Sequence, residues 1–520
     1  MASSDTVLLR LPQNLSPSIQ VSLNHHNRCG VRDAIFEIRL KWWPMAKNLA
    51  KSLAKKATPR KARDLKSADN KTPHAVDCII VGAGISGLTC ARELIDAGRT
   101  VLILEGRDRI GGRILTTRDT SLSVPIELGA EFIHGAPDVT FQRLESAGLT
   151  FYDLTDRHLQ RKGGALVPVE FFEQIQCVMK SLDPKRKTDR TMDAVLKTLK
   201  SLSPDADKLL RAYIEGFHAA DLNLIGEKAL ALSETGGADL NGSESFRIVE
   251  GYDRLVSSLL HGISMNNSPI RLQTIVKKIS WKKSGKSSGK SAGKKFPVEI
   301  EAVSSADFTL PTFHAKAVVV TVPIGVLKAP SKSKTAIELN PLPPKLESAL
   351  SGLHMGHALR LNLRFRSRFW EKSQKEPIGF LHAGPEWNFP TWWTQMPLRT
   401  PILIAWQGGP KVERLSKLTE SERVQTALKT LSFVLDIDLK IIQQELVTWY
   451  MHDWTNDPFS LGAYSYVGLN GDQKALPLAQ PFGKSLFFAG EATHTAAERG
   501  TVDGAIETGL RAAKQVLESL

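Results

Sequence analysis

At 520 residues the chain is too long for a single compact core, and its composition is that of an ordinary globular protein. The net charge of +14 points to nucleic acid until it is located: residues 1–74 hold 14 Lys/Arg against five Asp/Glu, and KKSGKSSGKSAGKK (282–295) holds six lysines and no acid. The rest is close to neutral, which argues against a specific nucleic-acid partner, and four cysteines without a CxxC pair argue against a disulfide framework or a zinc site.

Residues 1–74 read as a basic, disordered extension, too polar to bury a core. Within them AKNLAKSLAKKA can form a basic amphipathic helix, as a transit segment or a membrane-surface contact would. The expected location is cytoplasmic, with an organelle reached through that segment as the alternative. The longest apolar run, Ala317–Leu327, is broken by Pro323 and falls short of the ~18 residues of a membrane span, so no transmembrane span is expected.

The informative stretch begins at Asp77. Cys78–Val81 is a continuous apolar run, suited to a parallel strand covered on both faces. Gly82-Ala83-Gly84-Ile85-Ser86-Gly87 follows, then Leu88, Ala91, Leu94 and Ile95 at helical spacing, with Gly98 as the stop. Val101–Leu104 reads as a second strand and Glu105 as its tip. Strand, glycine turn, helix, strand and acid form the dinucleotide-binding unit. Gly82 allows the tight turn, Gly84 lets backbone approach a pyrophosphate, and Gly87 lets helix and sheet pack closely. Glu105 can accept both hydroxyls of an adenine-bearing ribose, and it would repel a 2′-phosphate.

After Glu105 comes GRDRIGGR, residues 106–113. Gly111-Gly112 offers a second close approach to a cofactor, and Arg113 can pair with its diphosphate; Arg107 joins the expected contacts. Here the chain resembles the flavin amine oxidases, whose ribose-binding acid is followed by a similar GGR. Four further segments occur in the family's order. IELGAEFIHG (126–135) is similar to the segment lying along the flavin. SPIRLQTIVKKISW (268–281) resembles the strand meeting the adenine, at Val276. WTNDPFSLGAYSYV (454–467) resembles the stretch entering the flavin site. SLFFAGEATHTAAERGTVDGAIETGLRAA (485–513) resembles the segment whose acid, Glu491 after Gly490, faces the ribityl and pyrophosphate region, with Thr501 and Val502 beside the isoalloxazine.

The resemblance implies an α/β fold with an α+β substrate part: a two-dinucleotide-binding-domain flavoprotein with a Rossmann-like FAD domain and a discontinuous mixed-sheet and helical substrate domain. The expected FAD domain comprises 75–150, 240–335 and 455–520, with 282–295 as a disordered insertion. The expected substrate domain comprises 151–239 and 336–454. The implied activity is hydride transfer from an amine C–H to flavin N5, with O2 as acceptor and H2O2 as product.

The catalytic pattern departs from the family in three places. Tyr464 fills one aromatic position beside the amine, but the second is Thr501, so the two-ring cage is incomplete. Ala463 replaces the cysteine that bonds the flavin in monoamine oxidases, so FAD is expected to be non-covalent. The family's lysine, ten residues before the tryptophan of FW, is here Arg360, which cannot serve as a base. Arg360 can still anchor a water or a substrate carboxylate, or balance a reduced flavin. It can also be one of four arginines (360, 364, 366, 368) on a strand, some of them facing solvent. His134 is a candidate for amine contact or proton relay, or a buried structural histidine. Trp392 and Trp393 can line a pocket or pack in a core. A desaturase or isomerase related to carotenoid and protoporphyrinogen oxidases is the alternative enzyme, and an FAD-holding scaffold the alternative of another class. No metal ligand set is expected.

Overall fold

The computed structural model describes residues 75–520, except 200–202, 240–243, 262–268, 283–295 and 373–375. The basic extension and, apart from Lys282, the lysine-rich insertion therefore lie outside the described residues.

Two large sheets organise the chain. The first has eight strands. Ala75–Val81 pairs in parallel with Val101–Leu104 on one side and Phe313–Val320 on the other, and Leu486–Phe488 joins Phe313–Val320, also in parallel. Ile270–Arg271 closes one edge beside Val101–Leu104. Val298–Ser304 and Thr274–Trp281 continue antiparallel, and Glu338–Asn340 closes the other edge. The central strands are apolar throughout because both faces are covered: Ile79, Ile80, Leu102, Ile103, Val318 and Val319 are all buried.

One of the covering layers is a pair of helices, Ile85–Asp96 and Val502–Ser519. They approach closely because the second carries glycine at the crossing. A Cβ on Gly509 would stand 2.5 Å from the Ser86 carbonyl oxygen and 3.0 Å from Thr89 Cβ. The first helix ends as its sequence implies, with Gly98 at φ +74° just beyond it.

The second sheet has seven strands, in the order Leu446–Tyr450, Ala358–Phe365, Ile402–Gly408, Thr391–Trp393, Phe380–His382, His158–Lys162 and Ala165–Pro168. Its outer face is sealed by Glu420–Leu435, an amphipathic helix started by a capping box at Thr419 and Glu422. Alternation along each strand divides the residues: Leu359, Leu361, Leu363, Leu381, Trp392, Leu403 and Ala405 enter the core under that helix. Helices Pro204–Gly216 and Glu227–Asp239, with Met192–Thr198, build a separate helical cluster.

Candidate active site

Residues of both sheets line one cavity of about 1380 Å³. That exceeds the roughly 300–1,000 Å³ of an ordinary small-molecule pocket, so it has room for a dinucleotide and a second molecule. One end is a cradle of backbone. Gly82 turns the chain at φ +110°, and Gly84 begins Ile85–Asp96 without a side-chain cap or an acid in the first turn. The helix thus leaves its first N–H groups facing a space that suits an anion. Gly112, at φ +60°, lies opposite Gly84: a Cβ there would be 3.2 Å from Gly84 Cα. A Cβ on Gly84 itself meets nothing nearer than 4.0 Å, and it would fill the cradle. Gly87 is different. Its Cβ would strike the Gly82 carbonyl oxygen at 2.2 Å, so this glycine fixes the turn against the helix.

Glu105, 4% exposed, is held at the tip of Val101–Leu104. It accepts hydrogen bonds from the Ala83 N–H at 2.7 Å and the Arg107 N–H at 2.9 Å. Each carboxylate oxygen retains a second lone pair, so ribose hydroxyls can be accommodated. Val276 sits where Thr274–Trp281 bulges and its partner register slips, a break that re-aims backbone at the cavity. Farther along, Arg113 donates to Glu491 at 2.9 Å and to the Ala463 carbonyl at 2.8 Å, while Ser465 donates to the other Glu491 oxygen. Helix Val502–Ser519 starts at the same wall, capped by the Thr501 hydroxyl, which accepts from the Gly504 N–H at 3.0 Å.

The other end is floored by the second sheet. Register places Arg360, Trp406, Thr391 and His382 in one row across four strands, and Asn362, Ile404, Trp393, Phe380 and His158 in the next. At about 4.8 Å per strand, Arg360 and His382 are roughly 14 Å apart. Arg360 is 6% exposed and engaged through both terminal guanidinium nitrogens, while its buried Nε has no hydrogen-bond partner among the described residues. It donates to Glu131 and, at 2.7 Å, to the Gly129 carbonyl. Arg247 stands 2.8 Å from the other Glu131 oxygen, Trp393 Nε1 donates to Glu131 at 3.1 Å, and the Arg360 guanidinium lies 5.7 Å from the Trp393 ring. Burial pulls the Arg360 pKa below its ordinary value, against the opposing pull of Glu131 and Glu127, and the guanidinium remains charged.

Tyr464 donates to the Phe217 carbonyl at 2.6 Å, and burial raises its phenol pKa. His134 shares a hydrogen bond with Ser245 at 3.2 Å and meets the rings of Phe132 and Phe217. Burial pushes its pKa down to about 4, so it is neutral at physiological pH. No helix among the described residues is long and apolar enough to cross a membrane, and no group of acids, histidines and cysteines among them is placed to hold a metal.

The sequence model describing flavin containing amine oxidoreductases matches residues 85–517, most of the chain. This protein belongs to the flavin-containing amine oxidoreductases. It is an FAD-dependent oxidoreductase acting on amines, with the α/β two-domain flavoprotein fold of that family. It is 28% identical over 472 residues to a probable polyamine oxidase 4 from Arabidopsis thaliana, covering 84% of this chain and 86% of that one. It is also 28% identical to the Arabidopsis thaliana lysine-specific histone demethylase 1 homolog 3, over 89% of this chain but only 32% of the relative's length. Among solved structures, putrescine oxidase bound to putrescine superimposes with a TM-score of 0.69 at 18% identity, over 85% of this chain and 99% of that one. Cyclohexylamine oxidase from Brevibacterium oxydans IH-35A does so with the same TM-score at 19% identity and the same coverage.

Every site residue expected from the oxidoreductase's sequence, apart from Gly87 behind the turn, lines this cavity. Two expected contacts are committed within the protein: Arg107 donates to Asp457 at 2.6 Å and Ser460 at 2.9 Å, and Arg113 to Glu491. The strand carrying Arg360 carries two arginines rather than four, because it ends at Phe365. Arg364 pairs with Asp119 at 2.6 Å, while Arg366 lies beyond the strand and is exposed. The two tryptophans divide: Trp392 is wholly buried in the core, and Trp393 faces the cavity. Sequence reasoning missed Glu131, Arg247, Asp457, Glu498 and the His158–His382 pair. Glu131, Asp457 and Glu498 stood inside motif segments already singled out, where an acid gives no sign of its partner. Arg247 and the histidines carried no local signal.

Proposed function

We propose that the protein oxidises an extended aliphatic amine, with a diamine or polyamine as the favoured class, using non-covalent FAD and molecular oxygen and releasing H2O2. The observation that carries this reading is that the nucleotide cradle and the Tyr464–Thr501 corner open into one cavity floored by Trp393, Trp406 and Phe380. Bound FAD supplies a hydride acceptor, N5, and a route for two electrons to oxygen.

The chain's own residues do the rest. Glu105 receives the ribose hydroxyls, the N-terminus of Ile85–Asp96 receives the diphosphate, and Val276 presents backbone to the adenine. Gly490 and Glu491, braced by Arg113, hold the ribityl region. Thr501 and Val502 bring a helix N-terminus to the ring system, where its partial positive charge favours electron-rich states. In this division of labour residues 75–150, 240–335 and 455–520 hold the cofactor, and 151–239 and 336–454 shape the amine site. Tyr464 frames the nitrogen from one side, and neutral His134 offers it a hydrogen bond. Arg360 acts by position: with Arg247 and Glu131 it forms a cluster of net charge +1, and it takes no proton. The aromatic floor excludes water and seats methylene groups. Ala463 offers no nucleophile, and none of the described cysteines lines the cavity, which supports non-covalent attachment. The names of the relatives, polyamine and putrescine oxidases among them, support the substrate class.

The test is direct. The purified protein should be yellow, release its flavin to the supernatant on acid precipitation, and bleach without oxygen on adding putrescine or spermidine faster than with benzylamine. Air should restore the colour with one H2O2 per turnover. Flavin retained in the pellet overturns non-covalent binding, and a spectrum indifferent to every amine overturns the reading itself.

A further inference from the structure

We infer that Glu498 takes the proton from the substrate's ammonium group before the C–H bond is broken, an inference resting on the amine-oxidation reading. An alkylamine arrives protonated, since its pKa lies near that of lysine, about 10.4. A protonated nitrogen has no lone pair with which to assist hydride release, so a base must act first.

The other groups lining the cavity are unsuited to this. Arg360 stays protonated, and Tyr464 is held protonated by burial. The His134 and His382 pKa values, lowered by burial to about 4 and about 3, make weak bases. Glu105 accepts two backbone N–H groups, Glu131 is clasped by two arginines, and Glu491 is held by Arg113 and Ser465. Glu234 is bonded to His218 at 3.0 Å and Tyr213 at 3.1 Å, and Asp156 to His158 at 2.7 Å. Asp153 and Glu244 are exposed. Glu498 is 8% exposed, lines the cavity, and forms no ion pair among the described residues.

Its position is fixed by glycines. A Cβ on Gly504 would stand 2.0 Å from the Glu498 carbonyl oxygen, so the turn carrying Glu498 is clamped onto the first turn of Val502–Ser519. Gly500 lies under Tyr464, its missing Cβ 3.7 Å from the ring. The carboxyl therefore shares one corner with Tyr464 and Thr501, whose hydroxyl is 3.4 Å from Glu498 Oε2. The charged neighbours that bear on it, Asp503 and Glu507 on the helix, are acidic. Arg499, next in the chain, turns to the Ala492 carbonyl at 3.0 Å. Helix Glu227–Asp239 packs on the adjoining segment through Gly236 against Ala497, and its cavity-facing charge is Glu234, already bonded to His218. Strand Tyr464–Val467 presents Tyr464. Burial and the two acids raise the carboxyl to about 7, the range in which a group both takes and returns a proton at physiological pH.

The step balances simply: the ammonium N–H bond breaks, a carboxyl O–H bond forms, and the nitrogen keeps its electron pair. The proton leaves to solvent after product release. The test compares the full-length holoenzyme with Glu498→Gln and Glu498→Asp. Flavin bleaching is followed without oxygen against pH, with whichever of putrescine, spermidine and a methyl-lysine peptide bleaches wild type fastest. Wild-type rates should rise with pH through about 7. Glu498→Gln should bleach about 100-fold more slowly at neutral pH, with its rise displaced toward the amine's own pKa. Glu498→Asp should recover part of the rate. Infrared difference spectra on mixing should show a protonated carboxyl appearing in wild type and absent from Glu498→Gln. Wild-type rate and pH profile in Glu498→Gln overturn the role of Glu498 and leave amine oxidation standing; absence of bleaching in wild type overturns both. Should Glu498→Gln lose its flavin, Glu498→Asp decides: an intermediate rate supports the role, and an unchanged profile overturns it.

Discussion

Arg360 stands where the resemblance places a lysine, and the side chain opposite it determines its chemistry. Glu131 is clasped between Arg360 and Arg247, with the Trp393 indole donating to the same carboxylate. Two buried guanidinium groups tolerate each other only because the acid stands between them. In Glu131→Gln they face each other without an anion, and the protein should lose about 3–5 kcal/mol of stability, read from urea unfolding. Unchanged stability would mean that the three groups do not meet. Sequence reasoning recognised Arg360 as a departure but offered substrate carboxylate binding among its uses. Glu131, 229 residues away, already fills that place. Such a partner is invisible in sequence because an acid in IELGAEFIHG looks the same whether it faces solvent, cofactor or arginine.

Elements were far more legible than partners where their requirements are local. Strand, turn and helix between Ala75 and Leu104 can be read from apolar runs and glycines because the turn is set locally, by the positive φ of Gly82 and by the packing of Gly87 on the Gly82 carbonyl five residues earlier. The same argument separates two of these glycines. Gly84 has φ −72° and open space, so Gly84→Ala should leave the apoprotein's thermal midpoint within a degree or two while weakening FAD binding roughly tenfold or more, as the methyl enters the cradle. Gly87→Ala places its methyl 2.2 Å from a backbone oxygen and should destabilise the apoprotein itself by about 1–3 kcal/mol. Calorimetry of both apoproteins with FAD titrations checks the pair, and equal thermal losses would refute the distinction. The second sheet was legible only in parts. Its alternating strands Ala358–Phe365 and Ile402–Gly408 stand out, yet the placing of His158–Lys162 beside Phe380–His382 depends on pairing over more than 200 residues. Hence the row running from Arg360 to His382 had no counterpart in the sequence reading.

Across the whole molecule, the charge that dominates the composition and the charges that govern folding are different sets. The lysine-rich segments give the chain its net charge, whereas the groups with displaced titration include buried acids and histidines in the body. Glu127 is the clearest. It accepts from the Thr116 hydroxyl at 2.7 Å and the Tyr252 N–H at 2.8 Å, and its own carbonyl accepts from Asn362 of the second sheet at 3.0 Å. Burial outweighs those bonds and lifts its pKa from 4.5 to about 7. A carboxyl with a raised pKa binds a proton in the folded state over a range where the unfolded chain has released it. Its contribution therefore falls as pH rises from about 4.5 to about 7 and is constant beyond. His134 and His382, with lowered values near 4 and 3, act in the opposite sense between those values and 6.5, so the slope of the wild type alone is ambiguous. Glu127→Gln isolates the acid, because the amide keeps an acceptor for Tyr252 N–H and does not titrate. Relative to wild type, the variant should gain on the order of 2–3 kcal/mol between pH 5 and pH 8, measured as the change in the difference between their urea-unfolding free energies. A difference that stays constant over that range would mean that Glu127 is already ionised in the folded protein at pH 5, with polar surroundings deeper than the packing between the sheets allows.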